Sequence, residues 1–247
     1  VSYASYRLAI VLGEVLTLQP DAIVIYSGHN DYLEERSYQT LRSSQSPLFR
    51  LAGRSRVVQT LRQTFFERSR QRKRLPREVQ TRLDLIDGME RYQRDALWRR
   101  GVVSHFRHSF ARMVRACKDA SVPLIVCVPA SDLVKTPPFK VMTTSLDESS
   151  RHRFEQEWQT ATNRKRSDQA RLAAAERCLE LDPEHAGAHF ILGSLNWNLT
   201  RPSHARRHLI AARDFDVCPL RATTAIIDAM LDFFRVFRST LGFRVHA

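Results

Sequence analysis

No run of 18 apolar residues occurs in the 247-residue sequence, so no segment reads as a membrane-spanning helix. Cysteine is sparse. Cys117, Cys127, Cys178 and Cys218 include no close pair at metal-ligand spacing, and buried or scattered thiols are expected. Phosphate loops, dinucleotide fingerprints and zinc-helix motifs are all missing, so neither a cofactor nor a metal is expected. The opening Val1-Ser2-Tyr3-Ala4-Ser5-Tyr6 has no initiator Met and no signal-peptide pattern. It reads as the interior of a longer product, whose compartment this sequence does not reveal.

Acidic residues are scarce in one stretch. Residues 36–115 carry 20 Lys and Arg against 6 Asp and Glu, while the rest carries 19 against 20, so the net charge of +13 is concentrated there. The density peaks at Arg68-Ser69-Arg70-Gln71-Arg72-Lys73-Arg74. Nucleic-acid surfaces interleave such charge with aromatic residues for base stacking, and only Phe65-Phe66 is available. The expectation is a solvated, partly disordered basic insert, exposed and mobile at 66–78. Nucleic acid is not the expected partner. Binding through residues 50–115 stays as an alternative that steep salt dependence would reveal.

What is present has the pattern of an α/β protein. Leu8, Val11, Leu12, Val15 and Leu16 recur at helical spacing, and Gln19-Pro20-Asp21 stops that helix. Ala22-Ile23-Val24-Ile25-Tyr26 then forms a short continuous apolar run, as in a parallel strand buried on both faces. Val103, Phe106, Phe110, Met113, Val114 and Cys117 mark a second amphipathic helix. Ser121-Val122-Pro123 ends it before a second buried strand, Leu124-Ile125-Val126-Cys127-Val128. The order strand, helical region, strand predicts parallel pairing through a right-handed crossover. The loops at 27–32 and 129–139, with Asn30 and Ser131, then share one sheet edge, where sites collect in such folds.

Residues 166–217 change character. Leu192, Gly193, Ala205 and Leu209 fit the frame of a tetratricopeptide-type repeat, in which small residues let paired helices approach closely. The positions for Trp and Tyr fall on His189 and Asn196 instead. About one and a half repeats are visible, fewer than the roughly three a free-standing stack needs. The repeat is therefore expected to pack on the α/β part.

The most informative stretch is the turn after the first strand, Ser27-Gly28-His29-Asn30-Asp31. Gly28-x-Asn30-Asp31 after a buried strand is similar to the third conserved block of the SGNH (GDSL-like) ester hydrolases. Tyr3-Ala4-Ser5-Tyr6-Arg7, Tyr32-Leu33-Glu34, Pro129-Ala130-Ser131-Asp132-Leu133, Pro137-Pro138-Phe139-Lys140 and the stretch from Asp214 to Thr224 resemble a bacterial subgroup of that family that carries tetratricopeptide repeats. The likeness covers roughly 1–35, 102–140 and 166–228. It implies that the Asn30 amide, with Gly28, belongs to an oxyanion hole. A fixed N–H donor facing the oxygen of a tetrahedral intermediate is worth about 3–4 kcal/mol. Gly28 allows the sharp backbone turn beside the site, and Asp31 is a candidate cap for a following helix.

The departures are as informative. The family's nucleophilic Ser lies in a Gly-x-Ser loop after the first strand, which here would precede Val1, and no Asp-x-x-His block follows the last element. Asp182 and His185 have that spacing but sit at a turn between helices, where Asp-Pro is a stop signal. His29 is expected to be a loop histidine without a chemical role. Ser2, Ser5 and Ser27 lack a nucleophile elbow.

The sequence thus predicts a truncated three-layer α/β domain with a parallel sheet, over 1–140 with a basic insert at about 36–100. A helical linker and repeat follow over 150–217, and 218–247 returns to the α/β part. The implied activity is that of a fragment of an ester hydrolase, inactive as given, acting in its parent on an unknown ester or acyl substrate. The alternative is an interaction scaffold that binds a protein partner through the repeat.

Overall fold

The computed structural model describes residues 3–34 and 88–241. Most of the basic insert, including 66–78 and the Arg68–Arg74 run, lies outside the described residues. The described part is α/β at a coarse level: mostly helical, with a small parallel sheet.

Helix α1 (Ser5–Val15) runs into a 3₁₀ turn, Leu16–Leu18, and Gln19 at φ 52° closes it in the left-handed region. Strand β1 (Ile23–Tyr26) follows. Helix α2 (Ala96–Asp119) starts at Asp95, whose carboxylate accepts from the Trp98 N–H, and leads to β2 (Leu124–Cys127). The strands pair in parallel with Ile23 opposite Leu124 and Tyr26 opposite Cys127, so the loops carrying Asn30 and Ser131 emerge at the same sheet edge, as expected.

The core lies on one face of this sheet. Ile23 and Ile25 pack with Leu12 of α1, Phe106, Phe110 and Met113 of α2, and Ile226 and Met230 of a last helix, α7 (Thr224–Leu241). The other face departs from the expected double burial: Val24, Tyr26 and Ile125 are 63, 54 and 54% exposed. All three packing helices gather on one side, so the described residues form two layers rather than three. No cover for that face is among the described residues.

Along the chain, four helices lie between β2 and α7: α3 (Glu148–Thr162), α4 (Asp168–Leu181), α5 (Ala186–Asn198) and α6 (Pro202–Asp214), each packed on the next. Local sequence sets their boundaries. Asp147, Ser167 and His185 accept from N–H groups in the first turns of α3, α4 and α5, and Pro202 occupies the first turn of α6. Small side chains set the spacing: Ala161, Ala174, Ala175, Ala188 and Ala205 are all fully buried. A Cβ on Gly193 would stand 2.6 Å from Leu209 Cγ, so α5 and α6 touch where only glycine fits.

Polar clamps join the two regions. Arg94 meets the buried Asp182 carboxylate at 2.7 and 2.9 Å, and the same carboxylate accepts from the Thr144 N–H. Asp216 accepts from the N–H groups of Phe139 and Lys140, which ties the loop after β2 to the segment leaving α6.

Candidate functional site

The loop after β1 is built on Gly28. Its φ of +121° is one that L side chains rarely adopt. An added Cβ would lie 2.9 Å from both Ile226 Cγ2 and Met230 Cε. The loop backbone is thus pressed against α7, and a side chain at 28 would be both strained and crowded.

Asn30 stands half-buried at the carboxyl end of β1. Its carbonyl accepts from Leu33 N–H in a tight turn, and its side-chain amide has no protein partner among the described residues. The amide is thus a donor on an anchored backbone, unused by the described residues.

Asp31 does not cap a following helix. It turns back to α1 and accepts from the N–H and Oγ of Ser5 at 3.1 and 2.5 Å, while Glu34 accepts from the Ala4 N–H and pairs with Arg7 at 3.0 Å. Two acidic side chains thus take the Ala4 and Ser5 N–H donors at the start of α1, where Ala4 supplies no side-chain cap. The reason is topological: α1 precedes the strand and its amino end lies beside the loop that leaves it. Burial pushes the Asp31 carboxyl up to about 6, against the lowering effect of the Ser5 bonds. Its second oxygen, and the Ser27 hydroxyl, are buried without a partner among the described residues.

His29 has a structural job. Its Nδ1 accepts from the Ala222 N–H at 3.1 Å, which leaves the proton on Nε2, facing the Tyr26 hydroxyl at 3.2 Å. Burial lowers its pKa. A neutral ring with its lone pair already used cannot serve as a base in this arrangement. Tyr32 makes the second tie, with its hydroxyl 3.1 Å from Thr223 Oγ1, and Tyr92 donates to the Tyr32 carbonyl at 3.1 Å.

Asp182 and His185 form no dyad. Asp182 is committed to Arg94 and Thr144, while His185 Nδ1 accepts from Ala188 N–H and its ring lies 4.9 and 4.7 Å from those of Phe154 and Trp158. Burial lowers the His185 pKa to about 4. Of the candidate serines, Ser5 is spent on Asp31 and Ser27 has no general base within hydrogen-bond reach among the described residues. Ser2 lies outside them. Gly28 and Asn30 are thus brought together on one anchored turn, and no described nucleophile or base joins them.

Sequence reasoning missed Asp31 as the cap of α1, and also Tyr32 and the arginine-rich side of α2. Only the last left a signal, Arg100-x₃-Ser104-x₂-Arg107 at helical spacing. No family model, curated protein or solved structure matches the chain.

Proposed function

We propose that the chain is part of an SGNH-like hydrolase acting on ester or acyl bonds, in which the Asn30 side-chain amide, placed by Gly28, donates to the oxyanion. The observation that carries this reading is the uncommitted amide of Asn30 on a backbone anchored against α7. In acyl transfer, negative charge develops on the carbonyl oxygen only as the tetrahedral intermediate forms. A donor already fixed at that position stabilises the transition state without reorganising. The parallel sheet supports the reading more weakly, because strand carboxyl ends are where such folds gather sites.

Asn30 is one part of the chemistry. A serine attacks, and a histidine takes its proton. The chain as given is therefore expected to hydrolyse a short p-nitrophenyl ester no faster than buffer does, with Asn30→Ala changing nothing. In an active form of the protein carrying nucleophile and base, Asn30→Ala lowers kcat about 10²–10³-fold with little change in KM. An unchanged kcat in that form would refute the role of Asn30.

The second reading is an interaction scaffold that takes a protein partner on α3 to α6, with the α/β part as its support. It is favoured by the joint at Asp182, where an Asp-x-x-His spacing serves packing rather than catalysis. Activity in the form just described, lost on Asn30→Ala, decides against it.

A further inference from the structure

We propose a second site, for a phosphate monoester on a hydroxylated body such as a sugar phosphate, in the cavity between α2 and the first turn of α7. The cavity has a volume of about 560 Å³, within the range of small-molecule sites, and neither Gly28 nor Asn30 lines it.

One wall is a stripe of α2. Arg100, Ser104 and Arg107 lie at i, i+4 and i+7, so they share a helix face. Arg99 beside them belongs to the fold: it donates to the carbonyls of Asp214 and Asp216 and lies over the Tyr32 ring, 5.7 Å from its centroid. Arg100 is not so committed. Its Nε donates to the Ala96 carbonyl, and its two terminal nitrogens have no protein partner among the described residues. Among the described residues Arg107 reaches only Asp232, at 3.3 Å, with both side chains about half exposed. A solvated pair of that kind holds its members weakly.

The opposite wall selects the rest of the ligand. Thr224, Ala225 and Asp228 come from the start of α7. Asp214 already takes the Thr224 N–H, so the helix end supplies only part of its positive character. Asp228 has no partner among the described residues. Its carboxylate repels a bare anion and accepts from hydroxyls. Two arginine forks with a serine hydroxyl between them match the several oxygens of a phosphate dianion, which a single carboxylate would use less fully. An anion at the arginine wall with hydroxyls toward Asp228 satisfies both sides.

Calorimetric titration of the chain at low ionic strength tests this, with glucose 6-phosphate, inorganic phosphate and glucose as probes. Saturable binding is expected for glucose 6-phosphate, weaker binding for inorganic phosphate and none for glucose. Arg100→Ala with Arg107→Ala weakens glucose 6-phosphate about tenfold or more, since each lost charged hydrogen bond is worth roughly that factor. Both residues are exposed, and a circular-dichroism spectrum identical to the parent's confirms that the variant folds. Asp228→Asn tightens inorganic phosphate and narrows the gap between the two anions. Arg115→Ala, on α2 but outside the cavity, changes nothing. The assignment is overturned by absent saturable binding, by equal affinity in the double variant, or by an Arg115→Ala loss as large as the double variant's. In the last case the anion senses only the basic surface.

Discussion

The helical region over α3 to α6 and the α/β part around the Gly28 loop are held by different kinds of contact. In the helical region, neighbours in sequence are neighbours in space. Its caps reach three residues, and its close approaches join helices next or next but one along the chain, as at Gly193 with Leu209 and Gly187 with Trp158. The α/β part is closed by ties across the whole chain. Asp31 reaches back 26 residues to Ser5, Tyr32 reaches Thr223 across 191, and His29 reaches Ala222 across 193. A local region is expected to tolerate damage piecewise, whereas a region closed at long range loses its site when any one tie fails.

The largest expected effect comes from breaking the joint between the two. Asp182→Ala leaves Arg94 facing a buried gap and frees the Thr144 N–H, at a cost of about 3–5 kcal/mol. The measurement is the urea midpoint, with Trp98 reporting on the α/β part and Trp158 on the helices. A shift in one probe alone would show that Asp182 belongs to one region rather than to their junction.

Next come the two glycines. Gly28→Ala combines a left-handed φ with contacts of 2.9 Å, and about 3 kcal/mol is expected. Gly193→Ala has an allowed φ but meets Leu209, so about 1–2 kcal/mol is expected. Thermal unfolding of the two variants ranks them. If Gly193→Ala is the worse, the long-range region is the more forgiving, against the comparison drawn above.

Acid titration separates the regions by sign. The folded pKa of His185, about 4, is below its ordinary 6.5, so its contribution is complete above 6.5 and lost as pH falls toward 4. Asp31 is raised from 3.8 to about 6, so its contribution is complete below 3.8 and lost as pH rises through 6. His185→Gln should flatten the acid side of the Trp158 transition, and Asp31→Asn the opposite slope of the Trp98 transition. Identical profiles for both probes in both variants would mean that the two regions unfold as one.

The smallest effect is at the surface. Arg177 grips Glu157 with two bonds of 2.7 Å across α4 and α3, largely in solvent. Arg177→Ala is expected to cost about 0.5 kcal/mol or less, and less still in high salt.

The same contrast explains what could be read from the sequence. Both strands, their parallel pairing, α1 and α2 follow from periodicity and local breakers. The turn at Gly28 and Asn30 follows in the same way, because a glycine and a tight turn after a strand are local features. Asp31 was misplaced because its partner lies upstream in the chain, and a cap is ordinarily sought just before the helix it serves. His29 and Tyr32 carry no local mark of their ties to Ala222 and Thr223. The exposure of Val24 and Ile125 was equally hidden, since an apolar run shows what a strand can bury and not which cover it receives.

The ties from His29 and Tyr32 to Ala222 and Thr223 also have a meaning in time. A ribosome adds about 5–20 residues per second. The partners that close the loop therefore emerge on the order of 10–40 seconds after it, once the helices α3 to α6 have been synthesised and can pair. During that interval Gly28 has no α7 to lean on. A nascent chain halted between Asp214 and Ala222 would have α3 to α6 available to pair while the Gly28 loop still lacked its closing ties.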